Sequence, residues 1–191
     1  MACPKSFTKD GLETQIGVNH FAHFLLTNLL LGALKSAAPS RIVVLSSSAY
    51  AMGTINRKDL LSEQSYSANF AYCQSKLANI LFTREIAKRL LGTGVVANSL
   101  HPGAVQTELQ RHVAWYWAIC SPAYFFFKTP RSGAQTSLAV ALDPAYEKVT
   151  GRYFKDCKPI QVSERARDDD TAAWLWNESE NIVGLRLSDF R

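Results

Sequence analysis

Two short β-branched runs, RIVVLS at 41–46 and VVANSL at 95–100, flank a long helical pattern, and this arrangement constrains the fold more than any other feature. The first run shows no polar alternation, which is how a strand covered on both faces of a parallel sheet reads. Between the two runs, residues 69–91 carry the period of a helix, with Leu77, Ile80, Leu81, Ile86 and Leu90 inward and Arg84, Glu85, Lys88 and Arg89 outward. Gly92 and Gly94 end it. Strand, helix, strand in one sheet implies a right-handed crossover and parallel pairing.

The flanks extend the same alternation. Over about 10–38, Leu12, Ile16, Phe21, Phe24, Leu25, Leu29 and Leu31 recur near helical spacing, which predicts a long, mostly buried helix stopped by Pro39. The polar stretch 49–68 reads as a loop. Further on, Pro130–Leu142 is predicted as a helix with proline in its first turn, and GRYF at 151–154 as a short third strand. The last helix follows, with Asp168 to Asp170 at its positive end. The sequence therefore predicts an α/β fold built on a parallel sheet, in a single domain over 1–191.

Composition removes several function classes. The formal charge of +5 comes from Lys and Arg scattered among apolar residues with no run of five, so no nucleic-acid groove is expected. Cys3, Cys73, Cys120 and Cys157 lie far apart with no CxxC pair, arguing against both a zinc site and a disulfide framework and for reduced thiols. His20, His23, His101 and His112 lack metal-ligand spacing, so no metal is expected. The first residues carry no signal-peptide core, and no stretch reaches ~18 continuous apolar residues. The nearest is the aromatic segment 113–127, interrupted by Pro122. Two readings of it are open: a substrate lid gripping a long apolar molecule or touching a membrane surface, or a packing segment. Trp174 and Trp176 are read as covering the end of the core, and Asn177 fits a glycosylation sequon that matters only in a secretory lumen.

Chemistry enters at FAYCQSKLAN, residues 70–79, where Tyr72 and Lys76 stand one helical turn apart on one face. A unit charge at ~4 Å interacts by about 4 kcal/mol at an effective dielectric of ~20, enough to bring a phenol from ~10 toward ~7 and make it a proton donor or acceptor near neutrality. Alone, the pair reads more readily as a half-buried tyrosine beside a solvated lysine, and context has to overturn that reading. Ser47 ends the first strand, at the edge where parallel sheets gather ligands, though hydroxyls there also form turns. The HPG turn, residues 101–103, ends the second strand at the same edge and lets backbone approach a flat ligand. Asn19 lies within an apolar helix and must find a partner, whether catalytic or structural.

These segments, with VNHFAHFLLTNLLL, HPGAVQTEL and KTPRSGAQTSLAVAL, resemble the short-chain dehydrogenase/reductase family, specifically its retinol dehydrogenase branch, over nearly the whole chain. The resemblance implies hydride transfer between a nicotinamide cofactor, NADP(H) or else NAD(H), and an apolar alcohol or carbonyl such as retinol or retinal. It assigns Tyr72 as general acid or base and Lys76 as the group that lowers its pKa and holds the nicotinamide ribose. Ser47 would orient the substrate oxygen, and Asn19 would support a proton relay through Lys76. Pro102, Gly103, Val105 and Thr107 would line the nicotinamide.

The family begins with a strand, a glycine-rich turn and a helix that hold the pyrophosphate. GTGVVA, 92–97, matches that string but follows a helix and enters a strand, so it is rejected. The expected fold is thus a partial Rossmann-like, doubly wound parallel sheet lacking the first strands and the glycine-rich turn. Met1 is expected to be an internal methionine of a longer protein, and the strand at 41–46 to present an open edge that favours self-association. The expected location is the cytoplasmic face, associated with the endoplasmic reticulum, without a signal peptide or membrane span in this chain. The alternative is a non-catalytic truncated fragment acting through protein–protein contact.

Overall fold

The computed structural model describes residues 1–110 and 127–185. Helix α1 (Thr14–Ile16) passes through a π-helical segment (Gly17–Phe21) into α2 (Ala22–Ser36). Strand β1 (Ser40–Leu45) follows, then a 3-10 turn (Ser48–Met52), the long α3 (Ala68–Arg89) and β2 (Val95–His101). Past the second described boundary come α4 (Pro130–Leu142), the hairpin β3 (Tyr153–Lys155) and β4 (Lys158–Ile160), and α5 (Asp169–Val183). The sheet order is β1-β2-β3-β4, with β1, β2 and β3 parallel and β4 antiparallel to β3. Leu45 pairs with Leu100, and His101 with Lys155, so three strands end on one level.

The predicted α/β alternation is present, with four corrections. The helix expected over 10–38 starts at Thr14, contains the π segment, and is less buried than its pattern suggested. In α2 only Phe24 and Asn28 are buried, while Leu26, Leu29 and Leu30 stay about half exposed on a face that nothing described covers. The run Thr14–Ser36 is apolar and long enough to cross a membrane by composition, yet Phe21 and Phe24 pack into the core. Glu85, expected outward, is buried and paired with Arg89 at 2.8 Å. Part of the loop at 49–68 is the 3-10 turn. Finally, β4 was not anticipated: Asp156 and Cys157 both take positive φ, as a two-residue type I′ hairpin requires, without the Asn-Gly signal that would announce it.

Helix α3 is the hub. It buries sixteen of its twenty-two residues, so it is wrapped on nearly every side rather than amphipathic. One core cluster joins Leu77, Ile80 and Leu81 to Tyr50, Ile55 and Leu175. A second joins Phe82 and Ile86 to Phe24, Ile42, Val44 and Trp176. Trp176 packs at 4.9 Å from the Phe24 ring centroid, with the Arg89 guanidinium over its ring at 4.2 Å, which bears out its expected place over the core. The 3-10 turn reaches α3 because residue 53 is glycine: a Cβ there would lie 2.5 Å from the Cys73 carbonyl oxygen.

The ends of these elements follow their sequence. Thr129 caps α4 ahead of Pro130, and Asp168 caps α5 by accepting from Asp170 N and Thr171 N. Gly184, left-handed, closes α5. Gly92 and Gly94 turn the chain from α3 into β2, so the GTGVVA string sits in the reverse of a phosphate-binding turn.

Candidate active site

The carboxyl ends of β1 and β2 open on a cavity of about 630 Å3. Ser46 and Ser47 leave β1 with different tasks. The Ser46 hydroxyl, buried, donates to the Lys76 carbonyl at 2.7 Å and docks the strand end on α3. Ser47 is extended, caps the 3-10 turn by accepting from Ala49 N at 3.2 Å, and lies in the cavity wall. Tyr72, in the first turns of α3, lines the same cavity. The nearby Ser47 side chain acts on its hydroxyl, pulling the phenol's pKa below what burial alone would set. Pro102, Gly103, Val105 and Thr107 line the same cavity. Gly103 has φ +98 and lies so close to the Lys128 side chain that a Cβ would meet Lys128 Cδ at 2.9 Å. Lys128 in turn binds Asp156, in the β3–β4 turn, at 2.6 Å.

Six of the eight residues singled out in the sequence, Ser47, Tyr72, Pro102, Gly103, Val105 and Thr107, therefore share one cavity. Lys76 and Asn19 do not line it. Lys76 lies buried behind Tyr72, its Nζ 5.7 Å from the tyrosine ring centroid and 3.3 Å from the Leu45 carbonyl, to which it donates. Asn19 borders a neighbouring depression shared with Met1, Cys3 and Gln15, and Met1 touches both hollows. Asn19 Nδ2 donates to Ser75 Oγ at 3.0 Å, and that hydroxyl donates to the Tyr72 carbonyl at 2.8 Å. The asparagine thus connects, through Ser75, to the backbone of Tyr72. It stands in the π segment, a distortion found often at functional sites.

The electrostatics correct an expectation. Burial holds the Tyr72 hydroxyl above the ordinary phenol range, and the Ser47 side chain offsets only part of that rise. Burial brings Lys76 down to about 8. Sequence spacing placed cation and phenol together, but the ammonium is turned to a carbonyl and is itself poorly solvated, so it does not bring the phenol toward neutrality. His101, which sequence reasoning set aside, lines the cavity at the end of β2. Its ring is kept below the usual histidine range by burial, then by Lys155 and Lys128. Its place before Pro102 at the sheet edge was the signal that could have found it.

Among the described residues, no group of three or more His, Cys, Asp or Glu could hold a metal ion. The aromatic segment lies outside the described residues over 111–126; Phe127 reaches the cavity wall. Asn177 is exposed, but the serine of its sequon, Ser179, is fully buried within α5.

Residues 4–115 match the short chain dehydrogenase family. Retinol dehydrogenase 14 of Homo sapiens is 56% identical over 188 residues, covering 96% of this chain and 56% of the relative. Retinol dehydrogenase 12 of Homo sapiens is 54% identical over 189 residues, covering 97% and 59%. The chain spans little more than half the length of the curated relatives it matches. Among solved structures, an uncharacterised protein from Mycobacterium paratuberculosis superposes with a TM-score of 0.73 at 36% identity, over 96% of this chain and 63% of that one. An NADPH-bound carbonyl reductase from chicken fatty liver shares the fold, with a TM-score of 0.56 at 22% identity over 85% and 64% of the two chains. With Ser47 and Tyr72 at one cavity and this match across its first half and beyond, the chain belongs to the short-chain dehydrogenase/reductase family of oxidoreductases, in the retinol dehydrogenase branch.

Proposed function

We propose that this chain carries the catalytic side of an oxidoreductase that interconverts an apolar alcohol and its carbonyl, of the retinol and retinal kind, with NADP(H), or alternatively NAD(H), as hydride carrier. The observation that carries this reading is the pair of hydroxyl-bearing residues, Ser47 and Tyr72, in the lining of one cavity that Val105, Leu109 and Phe127 also line. A substrate oxygen between the two hydroxyls would accept from Ser47 and exchange a proton with Tyr72 Oη. Because burial keeps the phenol protonated through neutral pH, Tyr72 is set to donate in carbonyl reduction.

The residues present fit the nicotinamide end of the cofactor. Gly103, with positive φ and no side chain, leaves backbone bare at the cavity wall, and Pro102, Val105 and Thr107 complete that surface. Lys76 has one described hydrogen bond, to Leu45, and so retains donors for ribose hydroxyls beside Tyr72. The nicotinamide, when bound, supplies or takes the hydride. Among the described residues there is no glycine-rich turn from strand into helix to hold a pyrophosphate. The same reading puts the exposed apolar face of α2, with Leu26, Leu29 and Leu30, at a membrane surface, on the cytoplasmic side of the endoplasmic reticulum.

The test is NADPH-dependent reduction of retinal by this chain and by a version extended upstream with a strand, glycine-rich turn and helix. Tyr72→Phe should lower the rate of the active form by ~10²–10⁴. An inactive extended protein, or full activity in Tyr72→Phe, would overturn the assignment.

One observation favours a second reading, a non-catalytic fragment that works by association. Strand β1 is the outer strand of the described sheet, and Leu45 at its end is 48% exposed. An edge of this kind pairs readily with another chain, including a second copy. Titration with NADPH followed by tryptophan fluorescence separates the two readings: saturable binding argues for the enzyme, and no response together with concentration-dependent self-association argues for the fragment.

A further inference from the structure

His20 is a buried titratable group that the site above does not use. Its ring is caged by Phe21, Phe24 and Phe82, with centroids at 5.0, 6.1 and 6.1 Å. Burial, assisted by the charge of His23 and opposed by the Asn79 side chain, brings its pKa to about 3, so at neutral pH the ring carries a single N–H. Its Nε2 lies 2.8 Å from Ser179 Oγ, which also stands 2.7 Å from the Leu175 carbonyl. The other nitrogen, Nδ1, and Asn79 Oδ1 are both buried and neither has a hydrogen-bond partner, while Asn79 is the side chain that pulls the ring's pKa upward.

One proton placement satisfies every atom. With the proton on Nδ1, the ring can donate to Asn79 Oδ1 and Nε2 accepts the Ser179 hydroxyl, whose proton turns away from the Leu175 carbonyl, an oxygen that still has the backbone N–H of its own helix. With the proton on Nε2, Nδ1 and Asn79 Oδ1 are both buried acceptors left without a donor, the costlier arrangement. Once Oδ1 is held, the Asn79 amide can turn only its Nδ2 elsewhere, and Nδ2 donates to the Leu45 carbonyl at 3.0 Å. That carbonyl is the one Lys76 Nζ reaches at 3.3 Å. Lys76 and Asn79 stand three apart on α3, so they address the same oxygen from one helix face.

We propose that Ser179, His20, Asn79 and the Leu45 carbonyl form a buried positioning chain for Lys76. Asn79 takes the nearer share of the carbonyl oxygen, so Lys76 is tethered through one N–H and keeps its remaining donors free for a ligand. His20 and Asn79 are positioning residues that act through Lys76. The inference rests on the role proposed for Lys76, but its tests need neither cofactor nor turnover.

Long-range 15N–1H correlation spectra of the folded, unsubstituted chain report the tautomer of His20 directly. The expected pattern is that of a neutral ring protonated at Nδ1 that does not titrate between pH 5 and pH 8; an Nε2–H pattern, or titration in the ordinary histidine range, overturns the proposal. The second measurement is the titration midpoint of Lys76, followed through its ε-methylene resonance. Asn79→Ala and His20→Phe release the carbonyl to the ammonium and should raise that midpoint by about half a unit or more. His20→Asn, whose amide N–H can stand where Nδ1–H stood, should leave it in place. An unmoved midpoint in Asn79→Ala, or equal shifts in His20→Asn and His20→Phe, overturns the positioning role. An inactive extended enzyme would sink the proposed function without touching either result.

Discussion

Tyr72 and Lys76 show what residue spacing can and cannot reveal. Spacing four apart fixes the shared helix face, so both residues are legible in the sequence alone. The sign of the phenol's shift is not, because it depends on burial and on where Nζ points, and neither is written in a spacing. Lys76 is 8% exposed, and its lowered pKa means that the folded chain disfavours its charge at neutral pH. The expected outcome is that Lys76→Met raises thermal stability, by about 1–2 kcal/mol after loss of the Leu45 hydrogen bond, while abolishing turnover in an active form; calorimetry checks it. His20 has the opposite visibility. Its folded pKa, about 3, lies below its unfolded 6.5, so the unfolded chain binds the extra proton first. The stability it contributes is present above pH 6.5 and falls as pH drops below that value, by up to about 1.4 kcal/mol per pH unit. Urea unfolding at pH 7, 6 and 5 should show this slope, and His20→Asn should lack it.

The elements are legible wherever one physical signal dominates. β1, α3, β2 and α4 appear within a residue or two of their predicted bounds, and α5 begins at its acidic cap, since β-branched runs, glycine stops, Pro130 and Asp168 all act locally. The misses are tertiary. No periodicity announces the π segment at Gly17–Phe21, and α2 carries a core-like pattern on a face that stays open. Gly53 belongs to the same class: its φ of −78 is ordinary, and only its approach to α3 demands glycine. Gly53→Ala must push the 3-10 turn off the Cys73 carbonyl, costing about 1–3 kcal/mol by chemical denaturation. Ser47 caps that turn, so the substitution should also weaken any activity of an extended form.

At the scale of the whole molecule, the candidate site is made of strand ends, loops and the start of α3, which are distant in sequence, and Ser47, Tyr72 and Gly103 can be named from sequence while Lys128 cannot. The first three carry their own local signal. Lys128 matters only because it is packed across Gly103 and held there by Asp156, on a hairpin the sequence does not disclose. The carboxyl of Asp156 is held below the usual carboxylate range, chiefly by that lysine, so the pair persists at neutral pH and is lost as acid reaches the folded pKa. Asp156→Asn should therefore leave the melting temperature almost unchanged, while nicotinamide-ligand affinity falls several-fold when titrated by fluorescence. The ligand's bed is braced from outside like a shelf on a bracket, and drift at a solvent-facing acid would surface as altered ligand preference in a protein that still looks sound by every measure of folding.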